Sequence, residues 1–419
     1  MKMWFKKATA VSLAGLLAAS LAACGAGSSG SSAPNAAGGA SNEGAKADEV
    51  LIGVLYPTSG SLARLGGAAL KAVELAAEDI NAAGGIKSLG GAKIKLEIVD
   101  PGDKPETAKS ATERLIQNKK VSALTGDYSS SLSLVTSEVA ERAKIPFVTA
   151  SVSDNLTSRG MKYLFQISPK GSMFGNTQVK FAKEYLVEKL GKQPKVAIVF
   201  EETSYGTSTA EGLSKTAKEL GLEVVLSEPY HANFADAAPL VNKIKASGAE
   251  ILFPVSYLQD AILIQKTVKQ LGLNITTVGG GAGYLMPEFY KELGKDAEGV
   301  VSVASWNLDL NKPGIEDINK RYTEKNGEFI TEHSGEAYSA TWVIAHAIEK
   351  AASTDPQKIR EALASLQLKE DDKGNIMPGG NIEFDQTGWN KNVYPVLIQW
   401  QEGIPKTIYP ESDAKAQFK

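Results

Sequence analysis

A cluster of serines at residues 126–131 (GDYSSS) is the feature of the sequence that most suggests chemistry. It follows a short apolar run and immediately precedes a predicted helix, where free backbone N–H groups and the helix dipole attract anions. Serine hydroxyls add further donors, so the pattern predicts a site for a small carboxylate at Ser129 and Ser130. One serine could act only as a helix N-cap, but three exceed what a single cap needs.

Further polar residues follow other apolar runs. Ser151 and Ser153 come directly after a run that ends at residue 149, and they offer hydroxyl and amide donors. Tyr205 and Tyr257 each begin a predicted helix just beyond a predicted strand, where a tyrosine can line a cleft with its ring and offer its hydroxyl. Two tyrosines at equivalent places favour a binding site over a purely structural role.

Residues for catalysis or metal binding form no recognisable pattern. The three histidines, His231, His333 and His346, have no metal-ligand spacing with a second His or Cys, which favours structural roles for all three. The sequence contains no Gly-x-Ser-x-Gly motif after a strand and no phosphate-binding P-loop. The glycine-rich residues 279–283 indicate a close backbone approach to a ligand or a hinge. These observations predict a binding protein without a cofactor, not an enzyme.

The only cysteine, Cys24, marks the end of a predicted export signal. A basic start, a short apolar run at residues 8–19 and the small residues 21–23 have the layout of a secretory signal peptide. The apolar run is shorter than the roughly 20 residues that a membrane-spanning helix needs. The pattern resembles a bacterial lipobox, so we expect residues 1–23 to be removed. Cys24 is then lipidated and anchors the protein outside the cytoplasm, on the bacterial membrane.

The composition of the chain after Cys24 changes near residue 48. Residues 24–48 are mostly Gly, Ser, Ala and Asn, which predicts a flexible linker. The rest of the chain is too long for one ordinary core and indicates two domains. The net charge of −3 becomes more negative without the three lysines of the signal, which argues against a nucleic-acid partner. No later segment has about 18 consecutive apolar residues, so no second membrane anchor is expected. We expect a monomer.

Alternating short apolar and longer amphipathic runs must position the candidate residues. Strands are predicted at 50–56, 94–100, 121–125, 145–149, 195–200, 223–226, 250–255, 275–278 and 300–305. Helices are predicted at 66–83, 105–118, 131–143, 205–220, 237–246, 257–271, 315–326, 336–352 and 356–366, before hairpin-like strands around 381–384 and 394–399. Repeated βα units in two sets predict an α/β fold with two doubly wound parallel-sheet lobes. Ligands of such sheets bind at the carboxyl ends of the strands, which is where the serines and tyrosines lie.

Several motifs, in their order and spacing, resemble the leucine/isoleucine/valine-binding protein family, the type I solute-binding proteins of ABC importers. They are residues 52–60 (IGVLYPTSG), 79–86 (DINAAGGI), 126–131 (GDYSSS), 145–151 (IPFVTAS), 156–160 (LTSRG) and 204–206 (SYG). The resemblance covers nearly all of residues 49–405.

The resemblance implies the periplasmic binding protein type I fold, with two lobes joined by a three-strand hinge. Lobe 1 would comprise 49–169 plus 302–392, and lobe 2 would comprise 170–301 plus 393–419. The crossovers would lie near Ser168, Val303 and Val393. A ligand would be trapped between the lobes by hinge closure, and the closed form would be presented to a membrane permease.

The resemblance also implies roles for individual residues. Ser130 best matches the family's carboxylate-binding serine. Groups matching Ala150, Ser151 and Ser153 complete the amino-acid head-group site. Tyr205 and Tyr257 match tyrosines that close from lobe 2, and Leu65 matches a position that touches the ligand side chain.

One position departs from the family pattern. Amino-acid binders often carry an acid that pairs with the ligand ammonium, and the matching residue here is Gly281. A buried ammonium without a partner costs several kcal/mol. Either Glu201, Glu202 or Asp309 takes over, or the ligand has no ammonium. If the ligand has no ammonium, Trp306 would face an aromatic or otherwise flat ligand. A purely structural role for Trp306, in the core or the hinge, is about equally well supported.

Three interpretations of function therefore stay open. The first is a lipid-anchored solute receptor for the import of a small amino acid, or of an amine-free or aromatic carboxylate. The second is a sensor domain that hands the closed form to a signalling partner. The third, an exported hydrolase, would require a catalytic Ser/His/acid set in the cleft, which the sequence does not display.

Overall fold

Two β-sheets organise residues 47–419, the part of the chain that the computed structural model describes. The predicted signal peptide, Cys24 and the predicted linker up to residue 46 lie outside the described residues. Within them, no helix is both long enough and apolar enough to cross a membrane.

The described strands and helices alternate from β1 to β4 and from β6 to β10, and three helices and four strands then follow. The strands are β1 (Glu49–Leu55), β2 (Lys93–Ile98), β3 (Ala123–Gly126), β4 (Phe147–Thr149), β5 (Leu164–Gln166), β6 (Lys195–Glu201), β7 (Glu223–Tyr230), β8 (Ile251–Val255), β9 (Thr276–Gly279), β10 (Val301–Ala304), β11 (Gln367–Leu368), β12 (Ile382–Glu383), β13 (Val396–Gln401) and β14 (Ile404–Tyr409). The helices are α1 (Ala63–Ala82), α2 (Pro105–Asn118), α3 (Ser130–Ala143), α4 (Gly171–Phe181), α5 (Val187–Leu190), α6 (Ser204–Leu220), α7 (Ala238–Ser247), α8 (Leu258–Gln270), α9 (Pro287–Leu293), α10 (Ile315–Asn326), α11 (Glu332–Ala351) and α12 (Pro356–Ala364). A π-helical turn (Ala182–Leu186) joins α4 to α5.

The two sheets differ in their mixture of strand directions. The first sheet has the order β2-β1-β3-β4-β5, and all its strand pairs are parallel. The second has the order β14-β13-β10-β9-β8-β6-β7, with parallel pairs from β10 to β7. At its other end, β13 runs antiparallel to both β10 and β14. The predicted α/β fold with two parallel-sheet lobes is confirmed, with an antiparallel hairpin added to the second sheet.

Continuous apolar runs become the central strands because helices cover both faces of each sheet. Every residue of β8 is buried, and β6 is buried along most of its length. Most connections between parallel strands run through helices, whereas β4 and β5 are joined by a loop without a helix. The carboxyl ends of β3, β4, β6, β8, β9 and β10 are consequently the places from which loops reach toward a ligand.

Helix α1 approaches the first sheet too closely for a side chain at Gly66. A Cβ atom on Gly66 would lie 1.9 Å from the carbonyl oxygen of Pro57, in the loop after β1. The next residue, Gly67, is also helical but faces open space, and a Cβ atom there would have no neighbour within 4 Å. A side chain is therefore excluded at Gly66 by close packing, whereas Gly67 has room for one.

Three predicted segments differ from the structure. Helix α11 begins at Glu332, one turn before the predicted start at residue 336. The predicted strands around 381–384 and 394–399 do not pair with each other, because β12 pairs with β11 whereas β13 pairs with β10 and β14. Strand β5 and the long helical segment from α4 to α5 were not predicted from the sequence.

Candidate functional site

A cavity with an empty volume of about 290 Å³ lies where strands of both sheets end. Six of its lining residues follow shortly after a carboxyl end of a strand, namely Tyr128 after β3, Ala150 after β4, Tyr205 after β6, Tyr257 after β8, Ala282 after β9 and Ser305 after β10. Val152, Phe174, Glu332 and His333 complete the lining. This is the position that open α/β sheets use for ligands.

Aromatic rings form much of the cavity wall. The ring centroids of Tyr205 and Tyr257 lie 5.2 Å apart, and the ring of Tyr128 meets Tyr257 edge-on at 6.1 Å. The hydroxyl of Tyr205 donates to the carbonyl oxygen of Gly280 at 2.6 Å, which fixes the ring. The structure thus brings together three of the sequence-predicted residues, Ala150, Tyr205 and Tyr257, in one lining.

The predicted serines lie beside the cavity and bond to one another and to the backbone. Ser130, in the first turn of α3, is buried, and its Oγ accepts from the amide of Ser153 at 3.2 Å. Ser129 Oγ accepts from the Tyr257 hydroxyl at 3.4 Å. Ser151 Oγ donates to the carbonyl oxygen of Asp127 at 2.9 Å. None of these serines is among the lining residues, so their roles in ligand binding stay predictions.

Hydrogen bonds and an ion pair link the ends of the two sheets around the cavity. Ser153 Oγ lies 2.5 Å from Ser204 Oγ, at the start of α6. Arg64, at the start of α1, donates through Nε to Glu288 of α9 at 2.5 Å, and it also pairs with Glu328. These contacts join a loop and a helix that follow strands of the first sheet to helices that follow strands of the second.

Besides the serines, three further sequence-predicted residues do not line the cavity. Leu65 and Trp306 are each 1% exposed and pack in the core, and the indole N–H of Trp306 donates to the carbonyl oxygen of Ile376 at 2.8 Å. Gly281 adopts a φ of 95°, and a Cβ there would lie 3.0 Å from the ring of Phe174. An acidic residue at position 281 would therefore be strained, although its neighbour Ala282 lines the cavity.

A carboxylate nevertheless lies beside Gly281, supplied by Glu332 in the first turn of α11. Glu332 Oε2 accepts from the amide of Ala282 at 3.2 Å, and Oε1 accepts from the amide of Ser305 at 2.5 Å. Burial raises the pKa of the Glu332 carboxyl to about 7, because the charged form loses its water. A distant part of the chain thus brings an acid to the place where the local sequence has glycine.

The acids that the sequence suggests as replacements lie elsewhere. Glu201 accepts from the amides of Thr203 and Gly206 at 2.8 and 2.7 Å and so caps the following helix, α6. Glu202 pairs with His231 at the surface, and Asp309 accepts from the amide of Thr407 at 2.9 Å. None of the three lines the cavity.

The neighbouring His333 is the second ionisable group of the cavity wall. Its ring stacks on Tyr128 with centroids 4.7 Å apart, and Nδ1 lies 3.1 Å from Glu336 Oε2. Burial lowers the pKa of the imidazole and raises the pKa of Glu336 to about 8. Among residues 47–419, the buried Nε2 atom of His333 has no hydrogen-bond partner.

The charges of the lining residues and the supply of metal-ligating side chains limit what the site can bind. No lysine or arginine is among the residues that line the cavity. Within residues 47–419, no group of three or more His, Cys, Asp or Glu side chains could hold a metal ion. The arrangement can hold a small polar molecule among aromatic rings, with Glu332 as the acceptor of a positive group.

Glu332 and His333 were not predicted as site residues, because the helix that carries them was expected to begin at residue 336. A start signal was available, since Thr331 precedes Glu332 as an N-cap residue and acids favour the first helical turn. Glu332 accepts from the amide of Ala282, which lies fifty positions earlier in the chain, so no local sequence pattern indicated this contact.

Comparisons with known proteins agree with this geometry. The family model described as periplasmic binding protein matches residues 49–398. The Leu/Ile/Val-binding protein homolog 8 of Brucella abortus (strain 2308) is 33% identical over 381 residues, covering 88% of this chain and 93% of the relative.

Solved structures share the fold at lower identity. The leucine-binding protein LivK of Thermotoga maritima has a TM-score of 0.76 and 22% identity, covering 86% of this chain and 97% of its own. The LivJ protein of Streptococcus pneumoniae in complex with isoleucine has a TM-score of 0.75 and 23% identity, with coverages of 86% and 100%. A solute-binding protein of R. palustris in complex with benzoate has a TM-score of 0.73 and 18% identity, with coverages of 86% and 95%.

Proposed function

The chain belongs to the periplasmic binding protein family, and we propose that it captures a small amino acid or related carboxylate for an ABC importer. The observation that carries this proposal is the cavity formed by strand ends of both sheets. Its lining combines aromatic rings with a few polar groups, a composition that is typical of small-molecule sites. The proposed role is binding without catalysis.

We further propose that the two lobes close on the ligand like a hinge. The proposed lobes are 49–169 plus 302–392 and 170–301 plus 393–419, with crossovers near Ser168, Val303 and Val393. Contacts such as Ser153 to Ser204 and Arg64 to Glu288 support a closed form, because they join elements of different sheets around the cavity. The closed form would then be presented to the permease.

A thermal-shift screen of the purified protein tests the proposed function. Amino acids and amine-free carboxylates are added one at a time, and the melting temperature is measured. A ligand at 100 times its Kd stabilises a protein by about 2.7 kcal/mol, which gives a clear rise. We expect a rise with at least one small amino acid. No rise with any amino acid or small carboxylate would contradict the proposal.

Ser130→Ala is expected to weaken ligand binding by about 1–3 kcal/mol, as for a lost hydrogen bond to a charged group. The Ser130 hydroxyl accepts from Ser153, and within the described residues its own hydrogen is given to no protein acceptor. It is thus available to a carboxylate at the N-terminus of α3. Calorimetric affinities should be compared with those of Ser110→Ala, on the exposed face of α2. Unchanged affinity in Ser130→Ala would remove this residue from the site.

Cys24→Ser is expected to release the protein from the membrane into the soluble fraction. The reason is that only a cysteine after residues 21–23 could carry the lipid in the proposed anchor. Cell fractionation measures the change, and Ser28→Ala, in the proposed linker, should leave the protein on the membrane. Persistent membrane association of Cys24→Ser would mean that another tether exists.

An aromatic carboxylate without an amine is a second candidate ligand. The rings of Tyr128, Phe174, Tyr205 and Tyr257 around the cavity favour it, and a structural neighbour binds benzoate. The Glu332 carboxylate disfavours it, because no lysine or arginine among the lining residues offsets a second negative charge. The same screen separates the two candidates, since only the amino acid carries an ammonium.

A further inference from the structure

His333 brings to the cavity a hydrogen-bonding atom that the fold does not use. The residue lines the cavity, and its buried Nε2 atom has no hydrogen-bond partner in the part of the chain that the structure describes. Such an atom costs about 1–3 kcal/mol when it stays unpaired. The stacking of the imidazole on Tyr128 at 4.7 Å and its contact with Glu336 hold the ring in place.

The partner of Nδ1 determines what Nε2 offers. Glu336 Oε2 lies 3.1 Å from Nδ1, and burial favours the uncharged form of both groups. Glu336 Oε1 has no hydrogen-bond partner among residues 47–419, so a carboxyl hydrogen there would be buried and unpaired. On Oε2 the hydrogen is donated to Nδ1, and Nε2 then carries the imidazole hydrogen. If the proton moves from Glu336 to the imidazole, Nε2 still carries its own. In both arrangements Nε2 of this cavity-lining histidine is an N–H donor.

We propose that the Nε2–H group of His333 donates to an oxygen on the ligand side chain and selects polar solutes over aliphatic ones of the same shape. This inference rests on the proposed function, because it assumes that the ligand head group is held at the serine loop. The inference requires a hydrogen-bond acceptor on the side chain of the ligand, and branched aliphatic amino acids have none.

The composition of the cavity supports this selection. Glu332 and His333 are consecutive in α11, so an acceptor for a cation and a donor for an oxygen stand side by side. An aliphatic side chain placed here would leave the Nε2–H group without water and without a partner. Sites that bind a polar ligand group reject an analogue that lacks it, because their own buried polar groups are then left unpaired.

Isosteric amino acids provide the test. L-asparagine and L-leucine have side chains of nearly the same shape, as do L-threonine and L-valine, and only the first of each pair has a side-chain oxygen. Calorimetric affinities of all four are measured with the wild-type protein and with His333→Phe, which keeps an aromatic ring on Tyr128. His346→Phe, on the same helix but outside the cavity, is the matched control.

The expected result is a preference of about tenfold or more for the polar member of at least one pair. His333→Phe should abolish this preference while it retains or improves the binding of the aliphatic member. His346→Phe should behave as the wild type. Retained binding of the aliphatic member also shows that His333→Phe has folded, and His333→Gln, which keeps an N–H donor, should recover part of the preference.

Two other results would overturn the inference. The first is a wild-type preference for leucine and valine, and the second is a polar preference that survives in His333→Phe. Failure of the proposed function itself would give a different result. If no amino acid in the thermal-shift screen stabilises the wild-type protein, the proposed amino-acid ligand is itself wrong, and the selection by His333 falls with it. If another amino acid binds but none of these four does, the selection by His333 is wrong while the proposed function stands.

Discussion

Replacing Glu332 with glutamine is expected to weaken the binding of an amino-acid ligand by at least a hundredfold. The Glu332 carboxylate is held beside the cavity by the amides of Ala282 and Ser305, at the place where Gly281 offers no acid. Removing one partner of a buried charge pair costs about 3–5 kcal/mol, because the other charge stays unpaired. Titration calorimetry with the amino acid found by the screen measures the loss. An amine-free analogue should lose nothing.

Proton release gives the same experiment a second readout. The Glu332 carboxyl has a pKa raised to about 7 by burial, so a large fraction is protonated at pH 7 in the free protein. A bound ammonium would lower this pKa, because an opposite charge favours the ionised form. Binding at pH 7 should therefore release protons, visible as a binding enthalpy that depends on the buffer. Glu332→Gln should remove that dependence.

Glu202→Gln is the matched control for the charge change. Glu202 was also a candidate partner by sequence, but it pairs with His231 at the surface and does not line the cavity. Its substitution should leave affinity and proton release unchanged. If Glu332→Gln binds the amino acid as tightly as the wild type does, Glu332 is not the ammonium partner.

Gly66→Ala is expected to destabilise the protein by about 3 kcal/mol, whereas Gly67→Ala should stabilise it by about 0.5–1 kcal/mol. A Cβ on Gly66 would lie 1.9 Å from the carbonyl oxygen of Pro57, so helix α1 must move away from the loop after β1. A Cβ on Gly67 meets nothing, and alanine stabilises a helix relative to glycine.

Chemical denaturation of both variants measures these changes in the free energy of unfolding. The two substitutions are identical and adjacent, so intrinsic helix propensity is matched and only the packing differs. Equal stabilities would show that α1 and the loop after β1 do not approach as closely as described. A destabilised Gly66→Ala should also bind ligand less well, because Arg64, which pairs with Glu288 across the cavity, lies two residues earlier.

The fold was largely predictable because its signals are local. Continuous apolar runs such as β6 and β8, separated by amphipathic helices, indicate parallel strands covered on both faces. The segment from α4 to α5 was missed, and it contains a π-helical turn that changes the helical period. The pairing of β13 with β10 was not predictable from periodicity, because the two strands lie far apart in the chain.

The site was predictable only where its residues follow strand ends or match a family position. Ala150, Tyr205 and Tyr257 satisfy both conditions, and all three line the cavity. Glu332 satisfies neither, because it reaches Ala282 from a helix that starts fifty residues later. The packing of Trp306 in the core depends on the approach of Gly335 and Ile376, which the sequence around Trp306 does not reveal.

The antiparallel hairpin of the second sheet has a consequence for the order of folding. Strand β10 pairs with β13 along residues 301–304 and 396–399, and roughly 90 residues separate the two strands. Until the hairpin is present, β10 has an open edge with unpaired backbone groups, which invites pairing with other chains. We therefore expect the second sheet to be completed only after β13 has been synthesised. A chain that ends before residue 396 keeps all of the first sheet but exposes an aggregation-prone edge in the second.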